Sequence, residues 1–119
     1  MQTLLRNATI VDATAPEPRG GNVLIEDGVI RDVNAGTPTG DCDVIDVAGR
    51  TVMPGLVDCH VHVVASMMDL AANAQLPVAT AVLRSVPILK GMLERGFTTV
   101  RDLGGAPYAL AEAIAQGLT

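Results

Sequence analysis

His60 and His62 stand one residue apart in the run Pro54-Gly55-Leu56-Val57-Asp58-Cys59-His60-Val61-His62-Val63, and they are the only histidines in the chain. The flanking apolar residues predict a buried strand over residues 55–63. Successive side chains in a strand point to opposite faces, so the two imidazoles share one face, and Asp58 lies on it too. Val57, Cys59, Val61 and Val63 fall on the other face, an apolar ridge suited to packing beneath helices. Two adjacent imidazoles at a strand end are poor core residues and good ligands for zinc or a similar metal. The plainer alternative is a hydrogen-bonded pair of core histidines. Asp58 has three possible uses: a ligand, a carboxylate supporting a ligand from behind, or a satisfied interior acid. Its deeper position along the strand favours the supporting role.

The elements around this run divide the chain at about residue 53. Residues 1–53 read as short strands and turns. One strand covers 3–11, interrupted by Asn7, and a loop over 13–21 holds Pro16, Pro18 and two glycines. Strands at 22–26 and 29–33 meet at Asp27-Gly28, a strong hairpin signal. After a loop at 34–41, short strands at 44–47 and 51–53 flank Ala48-Gly49-Arg50. Together these predict a small antiparallel β unit. Residues 54–119 instead alternate strand and helix, the mark of βα units. A mixed segment over 64–75 reads as a loop with a helical turn. A helix is predicted from Pro77 toward Arg95, stopping at Gly96. Val78, Val82, Val86, Leu89 and Leu93 form its apolar stripe, and Pro87 predicts a kink or break. A second strand over 97–101, a loop at Gly104-Gly105-Ala106-Pro107 and a helix over 108–116 follow.

Set behind Pro-Gly, after short strands and ahead of a helix, Met53 to His62 resembles the first barrel strand of the amidohydrolase superfamily of metal-dependent hydrolases. That pattern is Pro-Gly, an apolar pair, then Asp-x-His-x-His. Residues 86–105 further resemble prolidase-like and Xaa-Arg carboxypeptidase-like members. The resemblance implies an α/β fold: N-terminal strands of a small β-sandwich, then the first two βα units of a (β/α)₈ TIM-type barrel. Such a barrel takes about 250 residues, against 119 here, so the chain is expected to be an N-terminal portion whose frame continues past Thr119. The missing completion of the sandwich would leave an open edge or an uncovered face.

The resemblance also implies one or two divalent metal ions, usually zinc, that activate a water against an amide or related bond. His60 and His62 would bind the more buried ion. The remaining ligands (a bridging lysine or glutamate, two further histidines and an aspartate base) come from later strands, so no catalytic residue is expected in this segment and the segment alone is expected to be inactive. Lys90 is the only lysine, but it falls within the first helix and is rejected as the bridging ligand. Arg101 and Asp102 end the second barrel strand. Either is a candidate substrate or loop contact, with a salt bridge or loop anchor the favoured use. Gly104 and Gly105 let the backbone approach the site, and no Lys-Ser/Thr follows to make a phosphate cradle. Met67 and Met68 could line a substrate pocket, with gap-filling the default for methionine.

Composition narrows the partners. A net charge of −5, with one Phe, one Tyr and no Trp, argues against a nucleic-acid surface or an anionic membrane. Cys42 and Cys59 give no disulfide framework, and Cys59 is expected to act as a small hydrophobe. The N-terminus lacks the pattern of a signal peptide, and no apolar run approaches a membrane span, so a cytoplasmic location is expected. The expected substrate is a small molecule or short peptide cleaved at a C–N bond, by an enzyme that forms homo-oligomers when intact. Deaminases and cyclic amidases of the same fold are alternatives, although Val63-Val64-Ala65 lacks the polar or basic residue cyclic amidases often carry there. A different class of reading is a non-enzymatic module that binds metal or self-associates through its exposed sheet edge and helix face.

Overall fold

The computed structural model describes residues 1–38 and 40–119. The chain divides into two compact units, Met1–Pro54 and Gly55–Thr119.

In the first unit, β1 (Gln2–Ile10), β2 (Arg19–Glu26), β3 (Val29–Asp32), β4 (Asp43–Asp46) and β5 (Thr51–Val52) form one sheet. Asp27 and Gly28 both take positive φ, 49° and 78°, and close the predicted hairpin between β2 and β3. Asn7 breaks the alternation of β1 because it is a bulge residue at φ 58°, where the β1–β2 register shifts. The Asn22 side chain steadies this bulge, accepting the Asn7 backbone N–H and donating to the Ala35 carbonyl. Ala8, Ile10 and Val23 form the buried core, with Leu5, Ile25, Val47 and Val52 against it.

The unit is not purely antiparallel, as the sequence had suggested. β4 and β5 both run parallel to β1, one after the other along it, β4 beside Thr3–Arg6 and β5 beside Thr9–Ile10. A parallel neighbour requires the chain to recross the sheet before it pairs, and that return falls between β3 and β4. Turn-forming residues mark where a chain bends but not which way it re-enters a sheet. The loop predicted over 34–41 includes position 39, which lies outside the described residues. Every residue of β3 and β4 is exposed.

Two carboxylates staple this unit. Asp46 accepts the Ala48 backbone N–H and also bonds Arg6 and Asn7, and these contacts hold its carboxyl below the usual range. Asp12 is held lower still, first by Arg19 and then by Thr14. A carboxyl with a depressed folded pKa stabilises the fold above its unfolded pKa, and that contribution is lost as pH falls through the folded value. Asp12→Asn is therefore expected to lower the urea midpoint at pH 7. The gap to the unaltered chain should narrow progressively below about pH 4. A gap that stays constant from pH 7 to pH 3 would show that the Asp12 charge contributes nothing.

In the second unit, β6 (Leu56–Val61) pairs in parallel with β7 (Phe97–Asp102). Between them come α1 (Leu70–Ala74), capped by Asp69 through the Ala72 N–H, and α2 (Val78–Glu94); α3 (Tyr108–Ala115) follows β7. Val63, Val64 and Leu110 are the buried core, packed by Val61, Ala81, Val82, Leu89, Met92 and Val100. No helix among the described residues is long and apolar enough to cross a membrane.

Five expectations for this unit need correction. Helix α2 runs unbroken through Pro87. Proline there removes only the hydrogen bond to the Leu83 carbonyl, and Leu83 is 71% exposed, so water can serve the orphaned group. The inward stripe of α2 is also rotated from the predicted one. Val78 and Leu93 are exposed, while fully buried Ser85 lies in the middle of the packed face. Its hydroxyl donates to the Val82 carbonyl at 2.7 Å, so burial leaves no polar atom unpaired. The apolar ridge of β6 is covered only at its C-terminal half. Val63 is buried, but Val57 is 60% exposed and Cys59 is exposed, because no described residue lies over them. Cys59 is therefore not a buried hydrophobe within this chain. Met68 fills no gap either, being fully exposed.

Candidate metal centre

β6 ends at Val61, so His60 is within the strand and His62 is the first residue beyond it. The two rings nonetheless lie side by side, with centroids 5.4 Å apart and planes at 78°. The ladder does not stop with the strand: Leu103 donates its N–H to the Val61 carbonyl at 3.1 Å. Both histidines are exposed within this chain.

His62 has a fixed partner. Its Nδ1 lies 3.1 Å from the Gly104 carbonyl oxygen. A carbonyl can only accept, so Nδ1 carries the proton and Nε2 keeps a free lone pair. This is the arrangement of a metal-ligating imidazole, whose second nitrogen is usually tied to a carbonyl or carboxylate. The carbonyl reaches the ring because the Gly104-Gly105 loop folds back on β6. Gly105 takes φ 103°, and a Cβ on it would stand 2.9 Å from Val64 Cγ2, so a side chain is excluded twice.

Asp102 holds the same corner together. Its Oδ2 accepts the Val63 backbone N–H and its Oδ1 the Gly104 N–H, both at 2.8 Å. It forms no ion pair among the described residues, and neither does Arg101, which is exposed. Asp58 accepts the backbone N–H of His60 at 3.0 Å. Its bond is to the chain rather than to either ring. Lys90 is on the exposed side of α2, 3.9 Å from Glu94.

A hollow of about 410 Å³ opens beside His62, walled by Val64, Leu70, Leu76, Val78 and Pro107. Asn73 also borders it, but both ends of its amide are used internally. The nitrogen donates to the Val64 carbonyl, and the oxygen accepts from the Ser66 N–H and hydroxyl. The Gly104-Gly105 pair predicts a close backbone approach to the site, which the structure shows, but not that the Gly104 carbonyl meets the His62 ring, and nothing in the sequence points to Asn73. A main-chain oxygen carries no residue-type signal, and Asn73 lies in a segment without periodicity.

Among the described residues no third His, Cys, Asp or Glu joins the two histidines. The donor chemistry suits a divalent ion, but two imidazoles make only part of a site, since a catalytic zinc typically takes three protein ligands.

The sequence model of the amidohydrolase family matches residues 51–119. The chain belongs to the amidohydrolase family. Members of this family generally use divalent metals. Similarity to individual amidohydrolases extends over the first unit as well. A 5-methylthioadenosine/S-adenosylhomocysteine deaminase of Bacillus cereus is 32% identical across 100% of this chain and 27% of its own length. A dihydroorotase of Pelotomaculum thermopropionicum is 39% identical over 62 residues, 52% of this chain and 14% of its own. Among solved structures, a prolidase complexed with N-methylphosphonate-L-proline superposes with a TM-score of 0.93 at 41% identity, covering 100% of this chain and 30% of that one. The chain thus spans less than a third of the length of each of these proteins. The fold is that of the N-terminal portion of an amidohydrolase, sandwich strands followed by the first two βα units of the barrel.

Proposed function

We propose that this chain supplies the first two metal ligands, His60 and His62, of a zinc-dependent hydrolase that cleaves a C–N bond in a small amide or dipeptide. One observation carries this proposal: the Gly104 carbonyl holds the His62 ring by Nδ1 and leaves Nε2 free beside the ring of His60. The 41% identity to a prolidase across the whole chain favours a dipeptide-like substrate. When bound, the metal supplies Lewis acidity and an activated water.

His60 and His62 present their imidazoles side by side at the C-terminal end of β6. Asp58 fixes the backbone at His60, and Asp102 joins the ends of β6 and β7. The hollow beside His62 offers hydrocarbon walls and an internally satisfied Asn73, so it suits an uncharged apolar group of the substrate. Arg101 is exposed near the C-terminal end of β7 and is our candidate to meet a substrate carboxylate. Residues 1–54 would form part of a β domain completed by chain from outside this segment. We also place the intact enzyme in the cytoplasm, as a homo-oligomer.

A second reading, deamination by the same centre, is favoured by the Bacillus cereus relative matched along the entire chain. The test is the longest product of the reading frame containing these residues, assayed against Xaa-Pro and other dipeptides, dihydroorotate and 5′-methylthioadenosine, with and without chelator. Chelator-sensitive dipeptide cleavage is the expected result. Ammonia release from the nucleoside without dipeptide cleavage would replace hydrolysis of peptides by deamination. A stable oligomer inactive on every substrate and indifferent to chelator would favour a non-enzymatic module.

A further inference from the structure

We infer that Asp102 is a positioning residue for His62, acting through the Gly104 carbonyl to set which imidazole nitrogen carries the proton. The chain of contacts is short and closed. One carboxylate oxygen of Asp102 takes the Val63 N–H, next to His62 in the chain, and the other takes the Gly104 N–H, each at 2.8 Å. Asp102 thus ties the backbone on the C-terminal side of His62 to the loop residue whose carbonyl accepts from the His62 ring at 3.1 Å. Gly105, pressed against Val64 at a φ only glycine takes readily, holds the far side of the same carbonyl. With both sides held, the carbonyl is aimed at Nδ1.

The consequence is chemical. Neutral histidine in water prefers the proton on Nε2, which would block that nitrogen as a ligand. A fixed carbonyl at Nδ1 reverses the preference and frees the Nε2 lone pair before any metal arrives. Asp102 bonds only main-chain N–H groups, so it acts on the ring through the geometry of the ring's partner. The role of His62 as a ligand rests on the function proposed above, whereas the tautomer it adopts does not.

The test is long-range proton–nitrogen correlation NMR on the metal-free 119-residue chain with ¹⁵N-labelled histidine, at about pH 8, above the ordinary range of histidine. With two histidines, His60→Ala assigns the signals. His62 is expected as the Nδ1–H form. Asp102→Ala is expected to return it toward the Nε2–H form while His60 is unmoved, and to weaken zinc binding by about 10–100-fold. If that variant does not fold, Asp102→Asn, which keeps the volume and loses one acceptor, should give an intermediate shift. An unaltered chain in which His62 already carries its proton on Nε2 overturns the inference without any variant. So does a folded Asp102 variant whose His62 tautomer is unchanged. The predicted tautomer shift in a chain that binds no zinc would uphold the positioning role and count against the metal site alone.

Discussion

Zinc titrated into the tag-free 119-residue chain is expected to bind weakly, and His60→Ala together with His62→Ala is expected to abolish that binding. Four-ligand structural zinc sites are worth about 10–16 kcal/mol. Two ligands of four bring roughly half, about 5–8 kcal/mol, which corresponds to a Kd of about 10⁻⁴ to 10⁻⁶ M. The rings are already side by side, 5.4 Å between centroids, so little ordering cost is left to lower that figure. Either single alanine change should weaken binding by at least the 10–100-fold that loss of a mere supporting residue costs. Calorimetry on the unaltered chain and the three variants decides it, with far-UV circular dichroism confirming that each is folded. Equal zinc binding by the double variant would remove these histidines from any metal site. Both are exposed, so the substitutions themselves should disturb the fold little.

The second large effect is expected at a residue with no chemistry of its own. Gly55→Ala should destabilise the second unit by about 1–3 kcal/mol or more, the cost of overpacking a site that cannot relax. A Cβ on Gly55 would lie 2.7 Å from the Cβ of Thr98 and closer still to both of its γ atoms. The backbone has little room to yield, because the adjacent Leu56 N–H is bonded to the Gly96 carbonyl at 2.8 Å and Leu56 is in register with Phe97. Thr98→Ala removes the two γ atoms and should relieve part of the strain. The double-mutant cycle should therefore show coupling of at least about 0.5 kcal/mol. Urea unfolding of the four proteins measures it. A Gly55→Ala chain as stable as the unaltered one would mean that β6 and β7 are not packed this closely. The effect would reach the site too, since β6 carries His60 and leads directly into His62.

The Pro-Gly ahead of the histidines was legible only as part of a pattern, while its physical cause lies across the strand pair in Thr98. The same holds elsewhere. Alternation and turn residues located nearly every strand, because period-two burial and positive-φ dipeptides such as Asp27-Gly28 are local properties. They said nothing of the parallel pairing of β4 and β5 with β1, which depends on the return of the chain between β3 and β4. Helical periodicity located α2 but put its inward face wrongly, since Ser85 reads as polar and is buried only because its hydroxyl finds the Val82 carbonyl. The apolar residues of β6 and Val63 predict a ridge that packs beneath helices, without saying how far along the strand the cover extends. Cover depends on which elements pack over each end, and Val57 and Cys59 have none within this chain.

From residue types and their spacing alone come the histidine pair on one face, the βα alternation after residue 54 and the amidohydrolase resemblance, because each follows from the order of residues along a strand or helix. The partner of His62 does not. It is a main-chain oxygen 42 positions away, delivered by a carboxylate that bonds only backbone. Such contacts arise where two strand ends meet, and chain order carries no trace of them until β6 and β7 pair.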